Sequence, residues 1–222
     1  MPKFAAGVVK FQQEVFPDNQ ALFEKLAQGQ TPEALFITCS DSRIETGMLT
    51  QSQPGDLFIV RNAGNIVPPH TRDAGSTTAA IEYACIALNV PHIVVCGHTQ
   101  CGAMKGAMNL DALNDLPHVK QWLSYSRAAV DITNELGKDL DDHRRNLMLL
   151  EQNVILQLTH LRTHPAVAVR LARGDLTLHG WVYDIADGEV YAFDAADNRF
   201  EPVSRRYAAE VAKHLALHTH DH

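Results

Sequence analysis

Two stretches of the chain decide the fold: ALFITCSDSR at residues 34–43 and HIVVCGHTQCG at residues 92–102. Each contains a short run of consecutive apolar residues, which is typical of a strand buried on both faces of a parallel sheet. A polar cluster that contains cysteine follows each run directly. Ligand sites in open parallel sheets form at the carboxyl ends of the strands, so we expect both clusters to lie on one edge of the same sheet.

The rest of the chain alternates between strand and helix patterns. Strands are predicted over residues 34–38, 57–60, 92–96, 176–185 and 190–193, and helices over 77–88, 102–108, 118–136, 142–162 and from Ser204 onward. Asp187-Gly188 lies between the last two strands and is a strong hairpin signal. The predicted fold class is therefore α/β, with a mainly parallel central sheet, an antiparallel edge hairpin and flanking helices.

Both ends of the chain are expected to be helical. An arm over residues 1–30 carries Phe4, Val8, Phe11 and Val15 at helical spacing, followed by a second helix. Residues 204–222 are expected to form a C-terminal helix and a His-rich tail. The tail either binds metal loosely or is simply a solvated end. We expect residues 1–222 to form a single domain.

Composition narrows the class of partner. The chain has 222 residues, of which 45% are hydrophobic, and a formal net charge of −7. Nucleic acid is not an expected partner, because binding to phosphate requires clustered Lys and Arg. A membrane is not expected either, because no apolar run approaches the roughly 20 residues of a membrane span. The first residues fit no secretory signal well, so we expect a cytoplasmic protein.

Four cysteines lie at positions 39, 85, 96 and 101. A chain of this length without a signal sequence is not expected to use them as a disulfide framework, so metal binding or catalysis comes into question. Cys85 lies on an apolar helix face and Cys96 within a strand, and both are predicted to be small buried apolar residues. For Cys39 and Cys101 the pattern favours a metal but leaves a buried thiol open.

A metal site is indicated by one histidine and two cysteines. His98 and Cys101 are three residues apart at a turn into a helix, and Cys39 provides a third ligand from the other strand. A Cys2His set with one open position suits catalytic zinc, whereas structural zinc usually has four protein ligands. Asp41 and Arg43 share a side with Cys39. They are either a pair that orients a metal-bound water or a helix-capping Asp with a surface partner.

At these residues the chain resembles the beta-class carbonic anhydrases. The resemblance covers about residues 4–203 and is specific because many short motifs occur in order. The matching segments are Gly29-Gln-Thr-Pro32, Cys39-Ser-Asp-Ser-Arg43, Pro54-Gly-Asp-Leu-Phe58, Arg61-Asn-Ala-Gly-Asn65, Glu82-Tyr-Ala84, His98-Thr-Gln-Cys-Gly102 and Leu178-His-Gly-Trp-Val-Tyr-Asp184.

The resemblance implies an activity, a cofactor and an assembly. The activity is the reversible hydration of carbon dioxide to bicarbonate by a zinc-bound hydroxide, with one Zn²⁺ per chain. The assembly is a homodimer or a dimer of dimers, in which the N-terminal helices embrace the neighbouring subunit. The implied residues are Cys39, His98 and Cys101 as zinc ligands, Asp41 and Arg43 as the catalytic dyad, and Gln30, Phe58, Tyr83 and Gly102 around the carbon dioxide pocket.

Two departures from the family pattern are visible. The segment Asp73-Ala-Gly-Ser76 replaces an expected Gly-Gly pair, which affects local loop shape. Phe36 stands three residues before the first cysteine, where some members carry a Trp that serves a non-catalytic bicarbonate site. Because Phe has no indole N–H to donate, the chain resembles the branch that lacks this site.

Three other functions are weighed against this one. A hydrolase of carbonyl sulfide or carbon disulfide would use the same site. A non-catalytic zinc scaffold would not need the pair Asp41 and Arg43. A nucleotide-binding domain would need a G-x-G-x-x-G after a strand, and the sequence has none.

Overall fold

The computed structural model describes residues 1–73 and 75–218, and a six-stranded sheet forms its centre. The strands are β1 Ala34–Cys39, β2 Leu57–Asn62, β3 His92–His98, β4 Thr177–Tyr183, β5 Val190–Asp194 and β6 Arg199–Pro202, in the order β2-β1-β3-β4-β5-β6. The pairs β1–β2, β1–β3 and β3–β4 are parallel, and the pairs β4–β5 and β5–β6 are antiparallel. The predicted α/β class is confirmed, and the antiparallel edge has one more strand than predicted.

Helices surround the sheet. Among the described residues they are α1 Pro2–Lys10, α2 Phe16–Asp18, α3 Gln20–Leu26, α4 Thr46–Thr50, α5 Ser76–Glu82, α6 Gly102–Ala107, α7 Pro117–Leu123, α8 Arg127–Leu136, α9 Asp142–Thr163, α10 Pro165–Arg173, α11 Val203–Arg206 and α12 Ala208–His218. Short π-helical segments extend α1 at Phe11–Val15 and α5 at Tyr83–Ala87. Short 3-10 helices occur at Leu110–Leu113 and Ser124–Ser126. No helix within the described ranges has the length and apolar character needed to cross a membrane.

The helix predicted over residues 118–136 is wrong as one element, because a 3-10 turn at Ser124–Ser126 divides it into α7 and α8. Ser126 is buried there, and its hydroxyl donates a hydrogen bond to Asn153 Oδ1 at 2.8 Å. The predicted break at Pro165 is confirmed, but the proline also starts α10. A proline fits the first turn of a helix because its missing N–H has no intrahelical partner there.

Two apolar layers cover the sheet. Leu35, Ile37 and other buried residues face the layer formed by α5, α9 and α10. Phe36 faces the opposite layer, where it packs against Trp181. Helix α9 crosses β3 and β4 at close range, because Gly97 and Gly180 present no side chain to it.

The strand order creates a crevice at the carboxyl end of β1. The chain passes from β1 to β2 on one side and then returns to β3 on the other side. This reversal is the topological switch point at which open α/β sheets bind their ligands. The first polar cluster follows β1 and the second follows β3, so both lie at this crevice.

Both ends of the described chain are helical. The N-terminal helices are present, and Phe4 and Val8 on α1 are exposed in the single chain. Helix α12 confirms a helix near the C-terminus, while His220 and His222 of the predicted tail lie outside the described residues. Ala74, within the departure at residues 73–76, also lies outside them.

Candidate metal centre

Three buried side chains converge at the carboxyl edge of the sheet. Cys39 is the last residue of β1, His98 is the last residue of β3, and Cys101 lies directly before α6. One potential ligand atom from each residue lies within 4.8 Å of the other two. This is the only such group of three or more His, Cys, Asp or Glu residues in the part of the chain that the structure describes. The three residues predicted from the sequence can therefore hold one metal ion together.

The tautomer of His98 is fixed by the backbone. Its Nδ1 lies 2.9 Å from the carbonyl oxygen of Thr99, and because a carbonyl only accepts, Nδ1 must carry the proton. Nε2 then presents a lone pair, and this buried nitrogen has no hydrogen-bond partner in the described structure. An unsatisfied buried polar atom is costly, whereas a metal ligand with its other ring nitrogen held by a carbonyl is a common arrangement.

A hydrogen bond joins the two thiols. Their Sγ atoms are 3.8 Å apart, and the hydrogen bond from Cys101 lowers the pKa of Cys39 well below its usual range. The same hydrogen bond, together with burial, raises the pKa of Cys101. The backbone N–H of Gly64 also donates to Cys39 Sγ at 3.4 Å. A divalent cation would favour ionisation of both thiols, and two thiolates with one imidazole are a donor set that fits zinc.

A paired carboxylate lies beside the three ligand atoms. Arg43 donates from Nε to Asp41 Oδ1 and from Nη2 to Asp41 Oδ2, both at 2.8 Å. These bonds hold the pKa of Asp41 well below its usual range, so the carboxylate stays ionised. Asp41 Oδ2 lies 4.0 Å from His98 Nε2. Arg43 Nη2 also donates to the carbonyl oxygen of Gln100 at 3.2 Å, which ties the pair to the loop before Cys101.

Arg61 fixes the loop that carries the first cluster, a role that the sequence analysis did not identify. Its Nε donates to the carbonyl oxygen of Cys39 at 3.1 Å, and its Nη2 donates to that of Asp41 at 2.8 Å. The register explains this reach, because Thr38 on β1 pairs with Arg61 on β2. In the sequence, Arg61 stood out only as part of a family motif, because the neighbouring residues do not indicate which backbone groups its guanidinium contacts.

A buried polar network on α9 was also missed. Asn153 Nδ2 donates to the carbonyl oxygen of Gly64 at 3.2 Å, and Asn153 Oδ1 accepts from Gln157 at 2.8 Å. Gln157 in turn accepts from the backbone N–H of Val67 at 2.8 Å. The network therefore fixes the segment whose N–H contacts Cys39. A signal for it exists in the sequence, because these two amides interrupt the apolar stripe of a long helix.

Of the four residues predicted to line the pocket, Phe58 and Tyr83 lie next to each other. The rings of Phe58 and Tyr83 lie 5.8 Å apart between centroids, and Tyr83 is half exposed. Gly102 is exposed at the first position of α6. Gln30 lines a separate hollow of about 480 Å³ that includes Phe23. The assignment of these four residues to a carbon dioxide pocket stays a prediction.

The other two cysteines behave as predicted. Cys85 and Cys96 are buried, and none of the four cysteines forms a disulfide. Burial raises the pKa of Cys85 to about 11 and that of Cys96 to about 12. Both are protonated thiols at neutral pH and lie outside the metal cluster.

Comparisons with known proteins agree on one family. The carbonic anhydrase family model matches residues 34–190. A carbonic anhydrase of Synechocystis sp. is 45% identical over 224 residues, covering 98% of this chain and 80% of the relative. The structure of the beta-carbonic anhydrase CcaA superposes with a TM-score of 0.89 at 43% identity and 91% coverage of both chains. One of two tetrameric beta-carbonic anhydrases of Sordaria macrospora has a TM-score of 0.68 at 32% identity, covering 91% of this chain and 93% of that one.

Proposed function

This chain belongs to the beta-class carbonic anhydrases, a family of lyases, and we propose that it uses one zinc ion, held by Cys39, His98 and Cys101, to hydrate carbon dioxide reversibly. The observation that carries the proposal is the convergence of three ligand atoms within 4.8 Å beside an ionised carboxylate. The buried and unpartnered Nε2 of His98 supports it further.

Asp41 and Arg43 have different roles beside the proposed zinc. Bound zinc would lower the pKa of water and so supply hydroxide at mildly alkaline pH. Asp41 would accept a hydrogen bond from the attacking hydroxide, and the bidentate contact with Arg43 fixes the direction in which the carboxylate points. Because Arg43 keeps the pKa of Asp41 low, Asp41 is too weak a base to keep the proton that the reaction releases. We therefore propose that Asp41 orients the hydroxide and that the proton passes on to solvent.

Contacts further from the metal tune the ligands. The N–H of Gly64 contacts Cys39 Sγ at 3.4 Å and draws charge from that thiolate. Arg61 holds the backbone carbonyls of Cys39 and Asp41, so a ligand and a dyad residue move as one unit. Both effects favour a site formed before substrate arrives, which is the condition for electrostatic catalysis.

The proposal includes the surroundings of the site. We propose that Gln30, Phe58, Tyr83 and Gly102 form the carbon dioxide pocket, because the neighbouring rings of Phe58 and Tyr83 offer apolar surface to a small uncharged molecule. We propose a homodimer or a dimer of dimers built from a single domain, since a solved relative is tetrameric. The cytoplasmic location expected from the sequence stays a prediction. No feature of the described site favours the hydrolase alternative for carbonyl sulfide or carbon disulfide.

Hydration assays combined with metal analysis test the proposal. The purified protein should contain one zinc per chain, and removing the zinc with a chelator should abolish hydration until zinc is restored. Cys39→Ser, His98→Ala and Cys101→Ser should each lower bound zinc and abolish hydration. Cys85→Ser and Cys96→Ser are the matched controls, because both thiols are buried outside the cluster and both variants should keep zinc. Near-full zinc in all three ligand variants would refute this ligand set.

A further inference from the structure

One turn of the backbone serves both the metal cluster and the dyad. Thr99 and Gln100 connect β3 to Cys101. The carbonyl oxygen of Thr99 accepts from His98 Nδ1 at 2.9 Å, and the carbonyl oxygen of Gln100 accepts from Arg43 Nη2 at 3.2 Å. Two successive carbonyls therefore orient a proposed zinc ligand and the arginine that holds Asp41.

This turn needs support from its surroundings. Gln100 has a φ of 57°, a left-handed conformation that is unfavourable for a residue other than glycine. Thr99 and Gln100 both line a cavity of about 500 Å³, so no side chains pack against the turn on the side that faces this cavity. Hydrogen bonds must therefore hold the turn in place.

The hydrogen bonds come from the end of β4. The Thr99 hydroxyl donates to Asp184 Oδ1 at 3.2 Å and accepts from the N–H of Ile185 at 3.1 Å. The Thr99 N–H donates to the carbonyl oxygen of Tyr183 at 2.9 Å. Asp184 Oδ1 also accepts from the N–H of Ala186 at 2.9 Å, which fixes its rotamer. The side chains of Thr99 and Asp184 thus connect the turn to the β4–β5 hairpin.

We propose that Asp184 and Thr99 are positioning residues that keep His98 aimed at the metal and Arg43 aimed at Asp41. The inference rests on the proposed zinc enzyme and adds a role for the antiparallel edge of the sheet. When the link is broken, the Thr99 carbonyl can move, and the His98 ring loses the contact that fixes its tautomer and direction. Outer contacts of this kind typically change metal affinity or activity by about 10- to 100-fold.

Zinc release from the holoenzyme tests the link directly. Asp184→Ala and Thr99→Val should each release zinc to a chromogenic chelator about tenfold faster than the parent, and kcat should fall while KM changes little. Asp184→Asn keeps an acceptor and Thr99→Ser keeps the hydroxyl, so both should restore near-parent release. The double variant Asp184→Ala with Thr99→Val should be no worse than either single variant, because the two side chains form one link.

The control lies in the same hairpin. Asp187 accepts from the N–H of Glu189 at 2.9 Å and takes no part in the hydrogen bonds of Thr99 given above, so Asp187→Ala removes a similar turn bond but leaves the link in place. It should leave zinc release unchanged. Parent-like release in Asp184→Ala and Thr99→Val, equal acceleration in Asp187→Ala, or additive effects in the double variant would each overturn the proposal. A parent protein without zinc would instead refute the proposed function.

Discussion

At the scale of single residues, Asp41 and Arg43 form a unit in which each controls the other. Asp41→Ala leaves the three proposed metal ligands intact and removes the oriented carboxylate, so zinc should be retained while kcat falls by about 10²-fold or more. Arg43→Ala should also be inactive, because Asp41 is then free to occupy the open metal position. Zinc content and hydration kinetics of both variants test this prediction. Parent-like turnover in Asp41→Ala would show that the dyad is assigned to the wrong residues.

The pH dependence of turnover should report one proton. Arg43 holds the pKa of Asp41 well below its usual range, so Asp41 is already ionised throughout the neutral and alkaline range and cannot produce a transition there. The thiolates of Cys39 and Cys101 would cancel the formal charge of Zn²⁺. Water bound at such a site should therefore have a pKa above the value of about 7 that is reached with three histidines. We therefore expect kcat to rise from neutral toward mildly alkaline pH with a slope of one proton, and a steeper profile would contradict this.

Bicarbonate should inhibit only as a product. Phe36 is buried and packs edge-on against Trp181, and the Trp181 N–H donates to the Tyr207 hydroxyl at 3.4 Å. The other indole, that of Trp122, donates to the carbonyl oxygen of Ala63 at 2.8 Å, so no indole N–H among the described residues is free to bind a second bicarbonate. Hydration rates measured with added bicarbonate should show simple competition, and cooperative inhibition would contradict the prediction.

The three residues of the candidate metal cluster could be predicted because they follow from strand order. Two buried strands, each ended by Cys or His, place their polar ends together once the sheet is parallel. The role of Thr99 could not be predicted in the same way. It depends on contacts with Asp184 and Ile185, more than 80 residues along the chain, which only the paired strands β3 and β4 bring together. Short-range patterns contain no information about such partners.

At the scale of elements, the strands with long apolar runs were predicted correctly, and elements with weaker sequence patterns were missed. The three parallel strands of the first half were predicted within a few residues, because their apolar runs are continuous. Strand β6 was missed, since Arg199–Pro202 is short, partly polar and lies at the sheet edge. The break between α7 and α8 was missed because it depends on the tertiary contact between Ser126 and Asn153.

Helix α9 can approach the sheet only where glycine allows it. A Cβ added to Gly180 would lie 2.7 Å from Val154 Cγ1 and 2.9 Å from Leu158 Cδ1. Gly180→Ala should therefore lower the free energy of unfolding by about 1–3 kcal/mol, as measured by denaturant unfolding. In a Val154→Ala background the cost of Gly180→Ala should shrink, because the nearest clash is removed.

The matched control for this approach is Gly47→Ala. A Cβ at Gly47 would meet its nearest atom, the Ser52 carbonyl oxygen, at 3.6 Å, which is an ordinary contact. That variant should not lower the free energy of unfolding, because Ala is favoured over Gly in a helix such as α4 and meets no close contact there. If Gly180→Ala cost no more than Gly47→Ala, the close packing of α9 on β4 would not limit the residue at position 180.

At the scale of the whole molecule, the single chain leaves apolar surface uncovered at both the arm and the proposed pocket. Phe4 is 69% exposed and Val8 is 57% exposed on α1, although they form the apolar stripe predicted from the sequence. Tyr83, assigned to the pocket, is 50% exposed. A second copy of the chain that covers the arm would explain both observations, and it agrees with the tetrameric relative.

The arm should therefore control assembly without controlling the metal. Burying side chains such as Phe4 and Val8 contributes about 1.5–3 kcal/mol each, so the double variant Phe4→Glu with Val8→Glu should raise the dissociation constant by on the order of 10² or more. Zinc content should stay near one per chain, because the proposed ligands come from the end of β1, the end of β3 and the residue before α6, and none comes from α1. Turnover should fall with assembly if the partner completes the pocket. Leu136→Glu is the control, since Leu136 is equally exposed but lies on α8. Light scattering gives the mass of each variant, and an unchanged mass in the arm variant would show that the stripe on α1 does not mediate the contact between subunits.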